Sequence, residues 1–293
     1  MSLVTALIDS GRLHINADLR VTQSDFLPIN EVSQTPHLFN GTLKIIPVRD
    51  VAICYAGAVS TAISIIRTIA NGDVIAEDIP AYIVSELEKT GDVNECDFLV
   101  VDATKQVMYK VHAGNVDKIS RGRSWIGDIE AYEVFQQKLE ELEYSENDNP
   151  IQKSVKMMNS MQAVIDDRSL ESVGELPISA FNSDGKIQLS IAFMAKGPDT
   201  PIREGLHPAV FSADTNLDTL NLNVIPPAES GVAAIGIHIA EARKGALYIP
   251  LTNDNPILID GDTLSEFREK VLAEQGIQLM GGGFELVNSN QVP

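Results

Sequence analysis

Apolar and polar positions alternate on either side of "DSG" near the start of the chain, in "LVTALI" and "RLHINAD", and this pattern predicts a β-hairpin. A second hairpin is expected from "LKIIPV" and "VAICYAG" around the turn "RD". Directly after Gly57 the period lengthens, with Ala62, Ile65, Ile66 and Ile69 at helical spacing and "NG" at the end. "IPAYIVSELEKTG" predicts a second helix, with Pro80 in its first turn and Gly91 at its close. "CDFLVVDA" and "QVMYKVHAG" predict a third hairpin, and "VDKISRGRSWIG" reads as one following strand. Two amphipathic helices come next. "DIEAYEVFQQKLEEL" places Ile129, Tyr132 and Phe135 on one face, and "IQKSVKMMNSMQAVIDDR" places Val155, Met158, Met161 and Ile165 at core spacing. A fourth hairpin is expected from "ELPISAFN" and "IQLSIAFMA" around "SDG".

Pro and Gly become dense in "KGPDTPIREGLHP" (196–208), which predicts a boundary between residues 1–197 and a smaller unit at 198–293. The second unit reads as strands "AAIGIHIAE", "GALYIPL" and "PILID", then a helix in "TLSEFREKVLAEQG" with Thr263 and Glu266 as a capping box and Gly276 as C-cap. The tail "MGGGFELVNSNQVP" reads as mobile. Strand pairs followed by helix pairs, twice over, do not give the strand–helix alternation of a parallel sheet. They predict an α+β fold: a four-layer αββα sandwich of two antiparallel sheets, with an extra C-terminal α/β module.

Composition narrows the partners. A chain of 293 residues, 44% hydrophobic, can bury one large core or two smaller ones. Its formal net charge of −19 would be repelled by a phosphate backbone or an anionic bilayer, so neither nucleic acid nor membrane is expected. No stretch of about 18 apolar residues occurs, and "MSLVTALIDSGR" lacks the pattern of a secretory signal, which reads as a cytoplasmic protein. Cys54 and Cys96 lie in or beside strands and read as buried free thiols. His14, His37, His112, His207 and His238 show no ligand spacing, so no metal and no cofactor is expected.

One charged pair interrupts the apolar pattern: in "LHINADLRVTQ" a carboxylate, Asp18, and then Arg20 appear where a buried strand should be ending. Asp at such a position, like Lys44 in the next strand, is also what a turn or a solvated surface uses. The motif "HINADLRVT", however, resembles the "AADxRxT" strand of the proteasome-type N-terminal nucleophile (Ntn) hydrolases. "LKIIPVRDVAICYAGAVSTA", "DFLVVDATKQVMYKVHAG" and "IGDIEAYEVFQ" are similar to the segments that follow in that family, in the same order, over about two-thirds of the chain.

The resemblance implies a proteasome beta-subunit-like protein that cleaves or transfers amide or peptide bonds through an N-terminal Ser or Thr. Asp18 and Lys44 match the carboxylate and lysine that flank the nucleophile. A buried ammonium there lowers the pKa of the hydroxyl and amine, and the carboxylate keeps the lysine charged. Gly57, at the turn into a helix, would offer its N–H to an oxyanion. Asp167 and Ser172 resemble the supporting Asp-x-x-Ser-Gly at a longer spacing, and Asp166 with Ser169 fits the three-residue offset. Where the family has Gly-Ser-Gly the chain reads Ile126-Gly127-Asp128, with no serine.

The nucleophile position falls at Met1 or Ser2, and removal of the initiator methionine would expose Ser2. A chain initiated at position 4 would instead expose Thr5. The alternative is a catalytically silent scaffold or binding subunit without a free N-terminal nucleophile. The resemblance also implies a homo-oligomer, ring or stack, acting on a peptide or amide substrate.

Overall fold

The computed structural model describes residues 2–19, 42–72, 74–167, 169–170, 172–173, 177–191, 222–239 and 243–280. The expected boundary near residue 197, the loop after Arg20, and the tail from Gly281 lie outside them.

The first hairpin is β1 (Leu3–Asp9) and β2 (Arg12–Asp18), turning at Ser10 and Gly11, both at positive φ. In one five-stranded sheet these two lie side by side, flanked by β8 (Gly122–Gly127) next to β1 and by β9 (Pro177–Ser183) and β10 (Lys186–Ile191) beyond β2. The second sheet runs in the order β3 (Ile45–Val48), β4 (Val51–Gly57), β5 (Cys96–Asp102), β6 (Val107–His112) and β7 (Asn115–Ile119). Every pairing between named strands is antiparallel among the described residues.

Strands buried on both faces explain the nearly continuous apolar runs. Val4, Ala6 and Ile8 of β1 and Cys54 and Ala56 of β4 join one core cluster shared by the two sheets. The alternate residues of β4 and β5, Ile53, Tyr55, Phe98 and Val100, pack instead with α1 (Val59–Asn71) and α2 (Ile79–Thr90). Leu3 and Leu7 of β1 pack with α3 (Ile129–Glu141) and α4 (Pro150–Asp166).

Two expectations about this part are corrected. The segment read as one strand through residues 116–127 is two strands in different sheets: β7 pairs with β6, the chain turns at Ser120–Arg121, and β8 pairs with β1. Gly122, at φ +103, takes up a backbone conformation that lets the chain change sheets. The helix faces are also rotated from those read: Ile129 and Val155 are exposed, and the buried row of α4 runs through Lys153, Met157, Ser160, Met161, Val164 and Ile165. Asp9 explains the rotation, because its carboxylate draws Lys153 inward in a 2.5 Å ion pair, 6% and 1% exposed, and one helical turn on from Lys153 lies Met157, not Met158.

The C-terminal sheet contains a strand not anticipated, β11 (Leu222–Ile225), beside β12 (Ile235–Ile239), β13 (Lys244–Tyr248) and β14 (Ile257–Asp260). Helix α5 (Leu264–Gln275) starts at Thr263, whose hydroxyl accepts from the Glu266 N–H. The Glu266 carboxylate accepts from Asp262 N–H, one residue earlier than a capping box requires. Phe267 fills the notch left by Gly236, Gly245 and Gly261. Val224, Ile235, Ile237 and Tyr248 belong to the core cluster of the first two sheets, while Leu247, Ile259, Phe267 and Val271 form a smaller one with α5.

Candidate active site

The open end of the first hairpin brings the two central candidates, Asp18 and Lys44, together. β2 ends at Asp18, fully buried, opposite Pro177 of β9. A backbone bond from Thr42 N–H to Leu19 C=O, 2.9 Å, brings the approach to β3 alongside that end. Lys44, two residues on, thereby faces Asp18, and its Nζ donates to Asp18 Oδ2 at 2.7 Å with only 2% of the lysine exposed. The other carboxylate oxygen, Oδ1, accepts from Leu3 N–H at 3.1 Å. That nitrogen belongs to the Ser2–Leu3 peptide, so the charged pair stands within one peptide unit of Ser2. Beside it, Tyr55 OH and Thr42 Oγ1 are hydrogen-bonded at 3.2 Å. Burial pushes the Tyr55 phenol up and the Asp18 charge adds to this, while the bond to Thr42 opposes them. The phenol stays neutral.

Ser2 is itself buried, and its carbonyl accepts from Asp128 N–H at 2.8 Å. Gly127, at φ +106, makes this approach possible, since a Cβ there would lie 1.8 Å from Ser2 O and 3.2 Å from Ala56 Cβ. The strand end of β4 at Ala56–Gly57 is therefore packed against the same corner as Ser2. Gly57, at φ +111, leads through Ala58 into α1, which has no side-chain cap and no acidic residue in its first turn. The first N–H groups of such a helix favour a negative charge.

The remaining candidates fall elsewhere. Thr5 sits in the middle of β1 between Asn16 and Trp125, three residues along from Ser2, 2% exposed, with no hydrogen-bond partner for its Oγ1 among the described residues. Asp167 ends α4 and accepts from both N–H and Oγ of Ser169, at 2.9 and 2.7 Å. Asp166, expected to pair with Ser169, is exposed, and Ser172 is half-buried in the segment leading towards β9. Arg20 and Met1 lie outside the described residues. Both cysteines are free and buried. Burial holds the Cys54 thiol well above its ordinary value and pushes Cys96 up to about 12, so neither supplies the thiolate that nucleophilic attack requires.

Two features of the fold are not evident from the local pattern. Gly127–Asp128 differs from the family pattern by a missing serine, and the signal it does carry is a glycine between a strand and a helix N-cap. The buried Asp9–Lys153 pair, at the closed end of the hairpin, had no local signature at all. A groove of about 330 Å³, lined by Val232, Ile249, Leu251 and Ile277 among others, lies in the C-terminal part, and none of its lining residues belongs to the corner at Asp18.

No protein-family model and no curated protein sequence matches the chain. Among solved structures it is similar to Thiobacillus denitrificans BPH in complex with epoxomicin, at 15% identity over 62% of this chain and 98% of that one, TM-score 0.45. It is also similar to Anbu, the ancestral beta-subunit from Yersinia bercovieri, at 15% identity over 61% of this chain and 80% of that one, TM-score 0.46. A third is eukaryotic HslV from Trypanosoma brucei, at 14% identity over 61% of this chain and 98% of that one, TM-score 0.43. The likeness is in the course of the chain, at low sequence identity.

Proposed function

We propose that this chain is an amide-bond hydrolase of the N-terminal nucleophile type, with Ser2, freed by removal of Met1, as its nucleophile. The observation that carries the reading is the buried Asp18–Lys44 pair whose carboxylate also holds the Leu3 N–H. Burying a lysine is costly without a counter-charge, and here the pair is placed beside the chain's second residue.

In the proposed reaction the free α-amine of Ser2, with a reference pKa of about 7.7–8, takes the proton from Ser2 Oγ as that oxygen bonds to the substrate carbonyl carbon. The Lys44 ammonium favours the developing alkoxide, and Asp18 keeps Lys44 charged. The Gly57 N–H and the uncapped first turn of α1 stabilise the oxyanion, the Ala58 N–H being held by Glu95 C=O. The C–N bond then breaks, the leaving amine carries off the proton, and water releases the acyl group from Ser2 Oγ by the same steps in reverse. Thr5 fits less well. In an extended strand it stands about 10 Å from Ser2, and a chain starting there would lose the Leu3 N–H that Asp18 holds.

The same reading takes the two sheets and α1 to α4, described within the first 197 residues, as an αββα sandwich, residues 198–293 as a second unit, and the whole as a cytoplasmic homo-oligomer, ring or stack, acting on peptide or amide substrates. Asp167 and Ser172 are assigned as support for the site from the segment before β9.

A second reading has an observation in its favour. Lys153 and Asp9 form a second ion pair with little exposure, at the closed end of the hairpin, so this chain also uses such a pair to join a hairpin to a helix. On that reading Asp18–Lys44 is structural and the protein is a silent scaffold.

Intact mass of the untagged protein from its own host decides first, followed by hydrolysis of fluorogenic peptide amides by the Ser2-initiated chain and its Ser2→Ala variant. The hydrolase reading expects a mass beginning at Ser2 and a fall of about 10²-fold or more in the variant. Retention of Met1, or equal rates from the two proteins, overturns it in favour of the scaffold.

A further inference from the structure

Two strand-to-helix elbows in this fold are built alike. At one, Gly57 (φ +111) precedes Ala58, whose N–H donates to Glu95 C=O at 3.0 Å. At the other, Gly127 (φ +106) precedes Asp128, whose N–H donates to Ser2 C=O at 2.8 Å. In each the missing Cβ is what admits the carbonyl, since an added one would lie 1.9 Å from Glu95 O or 1.8 Å from Ser2 O. In both elbows the N–H after the glycine receives a carbonyl from the residue just before a neighbouring strand.

The elbows differ in the cap. Ala58 offers α1 no side chain, whereas Asp128 is 7% exposed and its Oδ1 accepts from the N–H groups of Glu130 and Ala131 at 2.9 and 3.2 Å. The Asp128 carboxylate thus ties its own N–H to the first turn of α3. What that N–H holds is one side of the Ser2–Leu3 peptide, and the other side of the same planar group is held by Asp18 through Leu3 N–H. With oxygen and nitrogen both fixed, that peptide plane cannot rotate without breaking a bond, and its orientation sets the direction in which Ser2 leaves the strand.

We propose that Asp128 is a positioning residue for Ser2: it clamps the carbonyl side of the Ser2–Leu3 peptide while Asp18 clamps the amide side. The proposal rests on Ser2 being the nucleophile, and it explains how a corner lacking the family's serine keeps residue 2 in place.

The test compares Asp128→Ala, which keeps the N–H but removes the carboxylate, with Thr263→Ala, which removes a cap from α5. Both should lower Tm by a similar few degrees. Only Asp128→Ala should reduce kcat on the peptide amide, by about tenfold or more with KM within twofold, and Asp128→Ser, which restores a capping oxygen, should recover most of it. Hydrogen exchange at the Leu3 amide gives a readout without turnover and should be faster in Asp128→Ala and unchanged in Thr263→Ala. Equal kcat for the two alanine variants of a protein that turns over, or unchanged Leu3 exchange, overturns the proposal. Faster Leu3 exchange in a protein that hydrolyses nothing leaves the clamp standing and refutes the nucleophile reading alone.

Discussion

Replacing Lys44 by methionine leaves a fully buried carboxylate, Asp18, without the ammonium 2.7 Å away. Breaking a buried pair from one side costs about 3–5 kcal/mol, because the surviving charge stays out of water. Asp18→Asn takes the carboxylate away from the ammonium instead and should cost a similar amount, although its amide oxygen can still accept from Leu3 N–H. The double variant has neither charge. Its remaining penalty is an amide N–H₂ group facing a thioether, about 1–3 kcal/mol, against about 6–10 kcal/mol if the single costs were simply added. Urea unfolding followed by fluorescence reads all four proteins on one probe, since the chain's single tryptophan, Trp125, is stacked on Tyr132 at 4.2 Å in β8 beside the site. A double variant nearly as stable as the parent, with both singles far below it, is expected. Additive losses would refute the argument, since they would mean that the two charges do not depend on each other for burial. The double variant should also be inactive while folded, which separates the pair's chemistry from its structural role.

Two further outcomes follow from burial elsewhere. Desolvation pushes His14 from about 6.5 down to about 4, against the opposing bond to Asn16, so the unfolded chain binds a proton that the folded chain refuses between those values. Stability is therefore complete above about pH 6.5 and falls towards pH 4 by about 3 kcal/mol; urea midpoints of the parent and His14→Gln across this range should diverge on the acid side, and parallel curves would disprove it. Phe267→Ala empties the glycine notch of Gly236, Gly245 and Gly261 and should cost about 3–5 kcal/mol. Because β11 to β13 share a core cluster with the first two sheets, calorimetry should show one transition moving as a whole, and two separated transitions would show that the C-terminal part unfolds by itself.

Much of the local structure is determined by the sequence alone, because its causes are local. The turns at Ser10–Gly11, Arg49–Asp50 and Asp184–Gly185 join strands of matching alternation, and Pro80, Gly91, Thr263 and Gly276 mark helix ends where the structure has them. Asp18 and Lys44 could be singled out together only through resemblance, since nothing in their own neighbourhoods distinguishes a buried pair from two solvated charges.

The tertiary structure decided whatever depended on partners distant in the chain. Residues 116–127 carry one strand-like pattern, yet β7 and β8 join different sheets, because each found a different pairing edge. The face that α4 buries was chosen by Asp9, 144 residues away from Lys153 in sequence. The corner at Ser2 is the sum of such choices. A strand end, a lysine across from it and a glycine elbow before α3 each look ordinary in sequence, and only packing sets Asp18 on one side of the Ser2–Leu3 peptide and Asp128 on the other. Alternation and capping act over a few residues, whereas hydrogen bonds between strands and buried charges select partners by position in space, which no local pattern encodes.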